Sequence, residues 1–246
     1  MHTRLGRNVF GLGAIAFGIL TLVWHQIDAL GGLSRPGILV YIFGIAELAG
    51  GIAVQWHRTL MLGAIILVSI FSIFSLYMIP PIFKTPLDFS PYGNFFETFS
   101  ILLGSVFIFA STVLDRQEKA ASIERAAYIA YGISVITYAL YQLFFLTYTA
   151  SLVPKWIPPG QMFWAVATSI AFALAAFALL SGRQALLASV LLTTMIVLFG
   201  LLIWVPACIM HPQVLGNWTE NSSNLAMAGT AWIVVDYLSR KRPIES

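Results

Sequence analysis

The sequence predicts an all-α integral membrane protein, with eight transmembrane helices arranged as two tandem four-helix bundles in parallel repeat. Three observations lead there. The chain is 59% hydrophobic and only 9% charged, with a mean hydropathy of +0.87. A water-exposed globular domain carries roughly 25% charged residues, so most of this surface must face something other than water. Second, the apolar runs last about 20 residues without strict alternation, which fits membrane helices and not barrel strands. Helices and closed barrels are the structures that satisfy their backbone groups in hydrocarbon. Third, the two halves of the chain resemble each other at a nearly constant offset.

Taken in order, the expected spans are 8–27, 37–56, 59–79, 96–114, 126–147, 160–180, 185–206 and 221–239. Arg4 and Arg7 precede the first, which could be taken for a signal peptide. Its apolar run from Asn8 to Trp24 is long for a signal core, and Gln26-Ile27-Asp28 is a poor cleavage site, so it is kept as a span. Only His57-Arg58 separates the second and third spans, and Ser181-Gly182-Arg183 turns the sixth into the seventh. The segment Asp115–Arg125 mixes both charge signs with alanine and reads as a short exposed helix or linker. The eighth span opens on the polar run Asn221-Ser222-Ser223-Asn224. Six spans with two interfacial segments is the main competing count.

Lysine and arginine are distributed unevenly between the two sides. One side holds Arg4, Arg7, Arg58, Arg116, Lys119, Arg125, Arg183, Arg240, Lys241 and Arg242; the other holds Arg35, Lys84 and Lys155. The positive-inside rule then places both termini in the cytoplasm. The pI near 9.1 reflects this topogenic pattern, so no nucleic-acid partner is expected; the bilayer is the partner. The outer loops carry Pro80-Pro81, Pro86, Pro91, Pro154, Pro158-Pro159, Pro206 and Pro212, which should keep them non-helical, and Trp156, Trp204 and Trp218, which suit the headgroup level.

The repeat is legible residue by residue. Phe10-Gly11 answers Tyr131-Gly132, Pro36-Gly37 answers Pro159-Gly160, and Tyr41 answers Trp164. Arg58 answers Arg183, Pro81 answers Pro206, and Asn94-Phe95-Phe96-Glu97 answers Asn217-Trp218-Thr219-Glu220. The units are 1–118 and 119–246. An even number of spans in each gives both the same orientation, so the repeats are parallel.

The run Leu152-Val153-Pro154-Lys155-Trp156-Ile157-Pro158-Pro159-Gly160-Gln161-Met162-Phe163-Trp164, followed by a small-residue helix and Gly182-Arg183, resembles the DoxX-like membrane proteins. The resemblance is clearest over 125–240 and reaches the first half through the repeat. It implies a four-span unit, a bacterial inner membrane, and association with quinone-linked or oxidative-stress redox systems. The expected role is a non-catalytic membrane subunit or partner of an oxidoreductase; the alternative is a small-solute, lipid or proton transporter.

The candidate residues follow from charge in an apolar setting. Glu47 falls near mid-membrane, where a carboxylate faces the bundle interior and pairs, stays protonated or marks a proton path. Its counterpart at the repeat offset is Ile170. Asn94 and Glu97, with Asn217 and Glu220, stand three residues apart at the expected starts of two outer helices; they read as capping boxes or as a paired acidic site. His25, Gln26 and Asp28 close the first span, and Gln142 lies near the outer end of the fifth; together they form a polar level that admits a quinone headgroup. No metal is expected, since no His or carboxylate pair has ligand spacing, and the histidines do not bracket the midplane for haem. Cys208 is the single cysteine, which excludes an intramolecular disulfide and a Cys-x-x-Cys couple. No lipase, Walker or zinc-protease motif is present.

Overall fold

The computed structural model describes residues 4–27, 33–34, 37–112 and 117–241. Asp28, Arg35, Pro36, Asp115, Arg116 and Arg242 lie outside these residues. The first half runs α1 (Leu5–Trp24), a short antiparallel pair β1 (Gln26–Ile27) and β2 (Leu33–Ser34), α2 (Ile38–Ala53), α3 (Leu60–Tyr77), α4 (Ile79–Lys84) and α5 (Ser90–Ala110). The second runs α6 (Gln117–Phe144), α7 (Leu146–Leu152), α8 (Gln161–Ser181) and α9 (Ala185–Phe199). A π-turn (Gly200–Trp204), α10 (Val205–Met210) and α11 (Leu215–Lys241) complete it.

Six helical segments are long and apolar enough to cross a membrane: Leu5–Trp24, Leu60–Lys84, Ser90–Ala110, Glu118–Phe144, Gln161–Ser181 and Ala185–Met210. Two of the eight expected spans fall short of that description. At 16 residues α2 reaches only about 24 Å. Although α11 has 27 residues, its first turns are rich in Asn, Thr, Ser and Glu.

Several helices start earlier than the hydropathy pattern indicated. Ser90 opens α5, where its N–H donates to Asp88 Oδ1 at 2.9 Å, and Leu215 opens α11. Asn94, Glu97, Asn217 and Glu220 therefore sit inside their helices, and the capping-box reading is overturned. The charged segment expected as a short exposed helix or linker is, from Gln117 onward, the first turns of α6. The prolines also behave differently. Pro80 in α4, Pro91 in α5 and Pro206 in α10 each occupy the first turn of a helix. At Pro91 the first-turn N–H would have no intrahelical acceptor, so proline loses nothing there, whereas Pro206 follows directly on the π-turn, within a continuous helical run from Ala185 to Met210.

The long helices pack in a closed order, α1–α2–α3–α5–α6–α8–α9–α11 and back to α1, with α5 and α11 also touching each other. This α5–α11 pair separates two cores. Ile101 and Ile108 of α5 join Phe10, Leu67, Phe71 and Phe74 in one. Leu103 and Phe107 of the same helix join Tyr131, Phe172, Leu192 and Ile196 in the other. Glycines bring α1 against α11. A Cβ on Gly13 would stand 2.7 Å from the Ala226 nitrogen, and one on Gly229 would stand 2.3 Å from the Phe10 nitrogen. Such contact is the usual device where helices gain nothing hydrophobic by leaving lipid. At the arginine-rich end Arg240 pairs with Glu124 at 2.8 Å, tying α11 to α6.

Candidate functional site

A cavity of about 550 Å³ lies between α5 and the helices of the second half, toward the tryptophan-rich end. On α8 its wall is Trp164, Ala167, Thr168 and Ala171, one helical face at i, i+3, i+4 and i+7. The facing wall runs along α9 and the π-turn from Leu191 to Trp204, roughly 20 Å at 1.5 Å per residue. The two alanines leave room that larger side chains would fill. Deeper in, Phe172, Met195 and Leu198 make the lining apolar.

Polar groups gather at the other end, supplied by four helices. Asn94 and Glu97 come from α5, Gln142 from α6, Tyr148 from α7, and Glu220 and Asn224 from α11. Gln142 Oε1 accepts from both Thr168 and Ser169 hydroxyls at 3.1 Å, which fixes that carboxamide against α8. Asn224 Nδ2 donates to the Ile196 carbonyl at 2.8 Å, just where α9 passes into its π-turn. The π-turn closes with the Val205 N–H on the Gly200 carbonyl, and a Cβ on Gly200 would lie 2.7 Å from Asn224 Nδ2. Helix α7 and the segment 152–157 contribute the remaining lining here. That segment is tied to α8 by Gln161 Nε2 on the Val153 carbonyl at 2.6 Å, and Trp164 Nε1 donates to Pro158 at 2.9 Å. Burial raises the Tyr148 phenol above its ordinary range, and the nearby Glu220 and Glu97 carboxylates push it the same way.

The sequence-identified residues thus divide. Asn94, Glu97, Gln142 and Glu220 line one cavity. Asn217 does not line it; its Nδ2 donates to the Ala207 carbonyl at 3.1 Å, and its own carbonyl accepts the Cys208 S–H at 3.3 Å. Cys208 is buried by this contact. His25 is exposed, in a left-handed conformation at the end of α1 (φ 51°), with its ring 6.0 Å from that of Tyr41. Gln26 and Glu47 border a separate void of only about 20 Å³, with Thr21 and Thr219. Glu47 is 3% exposed, and its Oε2 accepts the Thr21 hydroxyl at 3.1 Å. Hence the expected polar level is two places, one in each half, and Asp28 lies outside the described residues.

Glu47 was matched by sequence offset to Ile170, which is 53% exposed. The polar tie between the corresponding helices of the second half is instead Gln142 with Thr168, and both ties span a separation of 26 residues. Tyr148, Trp164, Ala171 and Asn224 were not among the candidate site residues read from the sequence. The legible signal was the small-residue stripe on α8 facing a helix with large apolar residues. Among the described residues no group of three or more His, Cys, Asp or Glu is placed to hold a metal ion. Comparison with family models, with curated proteins and with solved structures finds no match.

Proposed function

We propose that this chain is a DoxX-like multipass membrane protein that holds a small amphiphile in its second half, as a non-catalytic membrane subunit or partner of a redox system. The observation that carries the reading is the cavity of about 550 Å³, polar at one end and apolar over the rest. Small-molecule sites are mostly apolar clefts of about 300–1,000 Å³ with a few placed polar groups. A quinone, the ligand implied by the resemblance, is one molecule of that form. No nucleophile–base pair or metal cluster lies among the described lining residues, so binding needs less of this site than catalysis does.

The same reading includes a duplicated four-span unit, eight spans, a bacterial inner membrane and cytoplasmic termini. Supporting the duplication, α1 packs on α2 as α6 packs on α8, and α3 packs on α5 as α9 packs on α11. Transport through Glu47 draws less support, because the void beside it is of the order of a single water.

The test is purification in mild maltoside, followed by mass spectrometry of the lipid and protein that come along. A stoichiometric quinone or other amphiphile, lost from an Ala171→Trp variant that folds, supports the reading. An oxidoreductase recovered in stoichiometric amount supports the partnership. An empty protein whose unfolding temperature no amphiphile raises refutes the binding reading.

A further inference from the structure

We infer that the small void beside Glu47 is a binding site for a sodium-sized monovalent cation, held by that carboxylate and by uncharged oxygens around it. The site is separate from the larger cavity and stands whether or not that cavity takes an amphiphile.

The inference comes from which atoms line the void and which of their protons are already committed. Its polar lining is Thr21 from α1, Gln26 from β1, Glu47 from α2 and Thr219 from α11. Thr21, Glu47 and Thr219 are buried. The Thr21 hydroxyl donates to Glu47 Oε2 at 3.1 Å, and the Thr219 hydroxyl donates to the Gly216 carbonyl at 3.1 Å. A hydroxyl has one proton and two lone pairs, so both threonines are left to the void as acceptors. Among the described residues Thr21 is the sole hydrogen-bond partner of Glu47, so Oε1 has no donor. The Gln26 carboxamide can add a further oxygen. The remaining lining is apolar.

A carboxylate withdrawn from water is costly unless a cation or several donors face it. One threonine hydroxyl satisfies one of its roughly four lone-pair sites. No lysine, arginine or histidine lines the void, so no side chain there supplies the opposite charge. A space of about 20 Å³ admits a single water-sized particle. Calcium takes about six to eight oxygens and magnesium keeps several waters, so neither fits beside one carboxylate in this volume. Among monovalent ions the smaller approaches the carboxylate more closely and is held more strongly, which favours sodium over potassium. Gln26 and Leu215, also in the lining, are half-buried, which leaves the ion a short path from water. Bound there, it ties α11 to α1 and α2. A protonated Glu47 beside one water is the competing occupancy, and it has no dependence on sodium.

The test exchanges the full-length protein in maltoside micelles into choline chloride and titrates it with sodium chloride at constant ionic strength. Potassium chloride is titrated in parallel. Binding is read by equilibrium dialysis with radioactive sodium and by thermal unfolding. Glu47→Gln keeps the shape of the side chain and removes its charge. Thr219→Val removes one lining oxygen, and Thr219→Ser restores it. Should Glu47→Gln fail to fold, the two threonine variants carry the test.

The wild type is expected to bind one sodium ion per chain. Its unfolding temperature should rise by about 3–6 °C once sodium reaches roughly ten times its dissociation constant. Glu47→Gln should bind no sodium and unfold at the same temperature in choline and in sodium. Thr219→Val should weaken sodium by about tenfold, and Thr219→Ser should bind it nearly as the wild type does. A wild type that neither retains sodium nor is stabilised by it has a protonated Glu47 and a water in the void, and the inference is overturned. Sodium binding that survives Glu47→Gln, or that is equal in the valine and serine variants, places the ion elsewhere and overturns it too. Potassium bound as tightly as sodium overturns the choice of ion. None of these outcomes bears on the amphiphile reading of the larger cavity.

Discussion

Replacing Gly229 with alanine tests the crossing of the first and last long helices. The added Cβ would lie 2.3 Å from the Phe10 nitrogen and 2.5 Å from its Cα. Both are backbone atoms of α1, so no side-chain rotation relieves the overlap. The helices must separate by about an ångström or more to restore van der Waals distance. Phe10 is itself fully buried and packs edge-on to Phe71 at 6.3 Å, so a displaced α1 disturbs the first core as well. Overpacking of this kind costs about 1–3 kcal/mol. For a chain of this size each kcal/mol moves the unfolding midpoint by about 2–4 °C, giving a fall of roughly 2–12 °C. The buried Cys208 is the sole thiol, so a thiol-reactive fluorophore reports unfolding without further engineering. Gly216→Ala is the control: its Cβ meets nothing within 4 Å, and alanine favours helix. A Gly229→Ala protein as stable as the wild type, or a Gly216→Ala protein equally destabilised, would refute the close-contact argument.

Three further outcomes follow from polar contacts between helices. Glu47→Gln keeps an acceptor for Thr21 and should unfold within a few degrees of wild type, whereas Glu47→Leu strands that hydroxyl and should cost about 1–3 kcal/mol by the same thiol assay. Asn224→Leu removes the donor on the Ile196 carbonyl; amide hydrogen exchange should rise at Gly200–Val205 and stay unchanged at the start of α9. Glu124→Gln breaks the Arg240 pair, whose side chains remain partly exposed, and should lower stability by no more than about 1 kcal/mol, with the difference shrinking as salt is raised.

Much of this architecture could be read from composition and period. Apolar runs locate α1, α3, α8 and α9 to within a few residues because lipid-facing positions must be apolar whatever the neighbours are. Helix starts were harder. Hydropathy follows the lipid-exposed surface, while α5, α6 and α11 begin in polar turns that end against other protein or at the water boundary. Proline misled in the same way, since Pro80, Pro91 and Pro206 terminate nothing when they occupy a first turn. At the site, Asn94, Glu97, Gln142 and Glu220 were visible because charge and amide groups are costly in an apolar setting. Their convergence on one cavity was not visible, because it depends on α5, α6 and α11 meeting at one end. Ala167 and Ala171 carry no chemistry of their own, and an absence of side chain becomes a signal only beside the helix it fails to touch.

The two halves differ in how rings fill them, and the voids described above differ in the same sense, about 550 Å³ against about 20 Å³. Under the proposed repeat, Phe74 answers Phe199 and Phe71 answers Ile196. On α2, where Tyr41 answers Trp164, the same spacing makes Val166 the counterpart of Phe43. In the first half Phe43 packs on Phe74 at 5.2 Å and Phe71 packs on Phe74 at 6.2 Å, filling the space between α2 and α3 with rings. In the second half aliphatic residues, Val166 and Ile196, stand at two of those three ring positions, and the remaining ring, Phe199, lies against Phe172 at 6.2 Å, at the edge of the cavity. The acids divide in the same sense. Glu47 is shut away with Thr21 in the filled half, whereas Glu97 and Glu220 line the space in the open half. Under the proposed duplication, one copy is free to keep the packed form that holds the fold while the other gives up ring volume to the proposed ligand. Placing a ring on the lining face of α8 by Ala167→Phe should therefore close the cavity, raise the stability of the ligand-free protein and abolish binding of every amphiphile; stabilisation without loss of binding would place the ligand elsewhere.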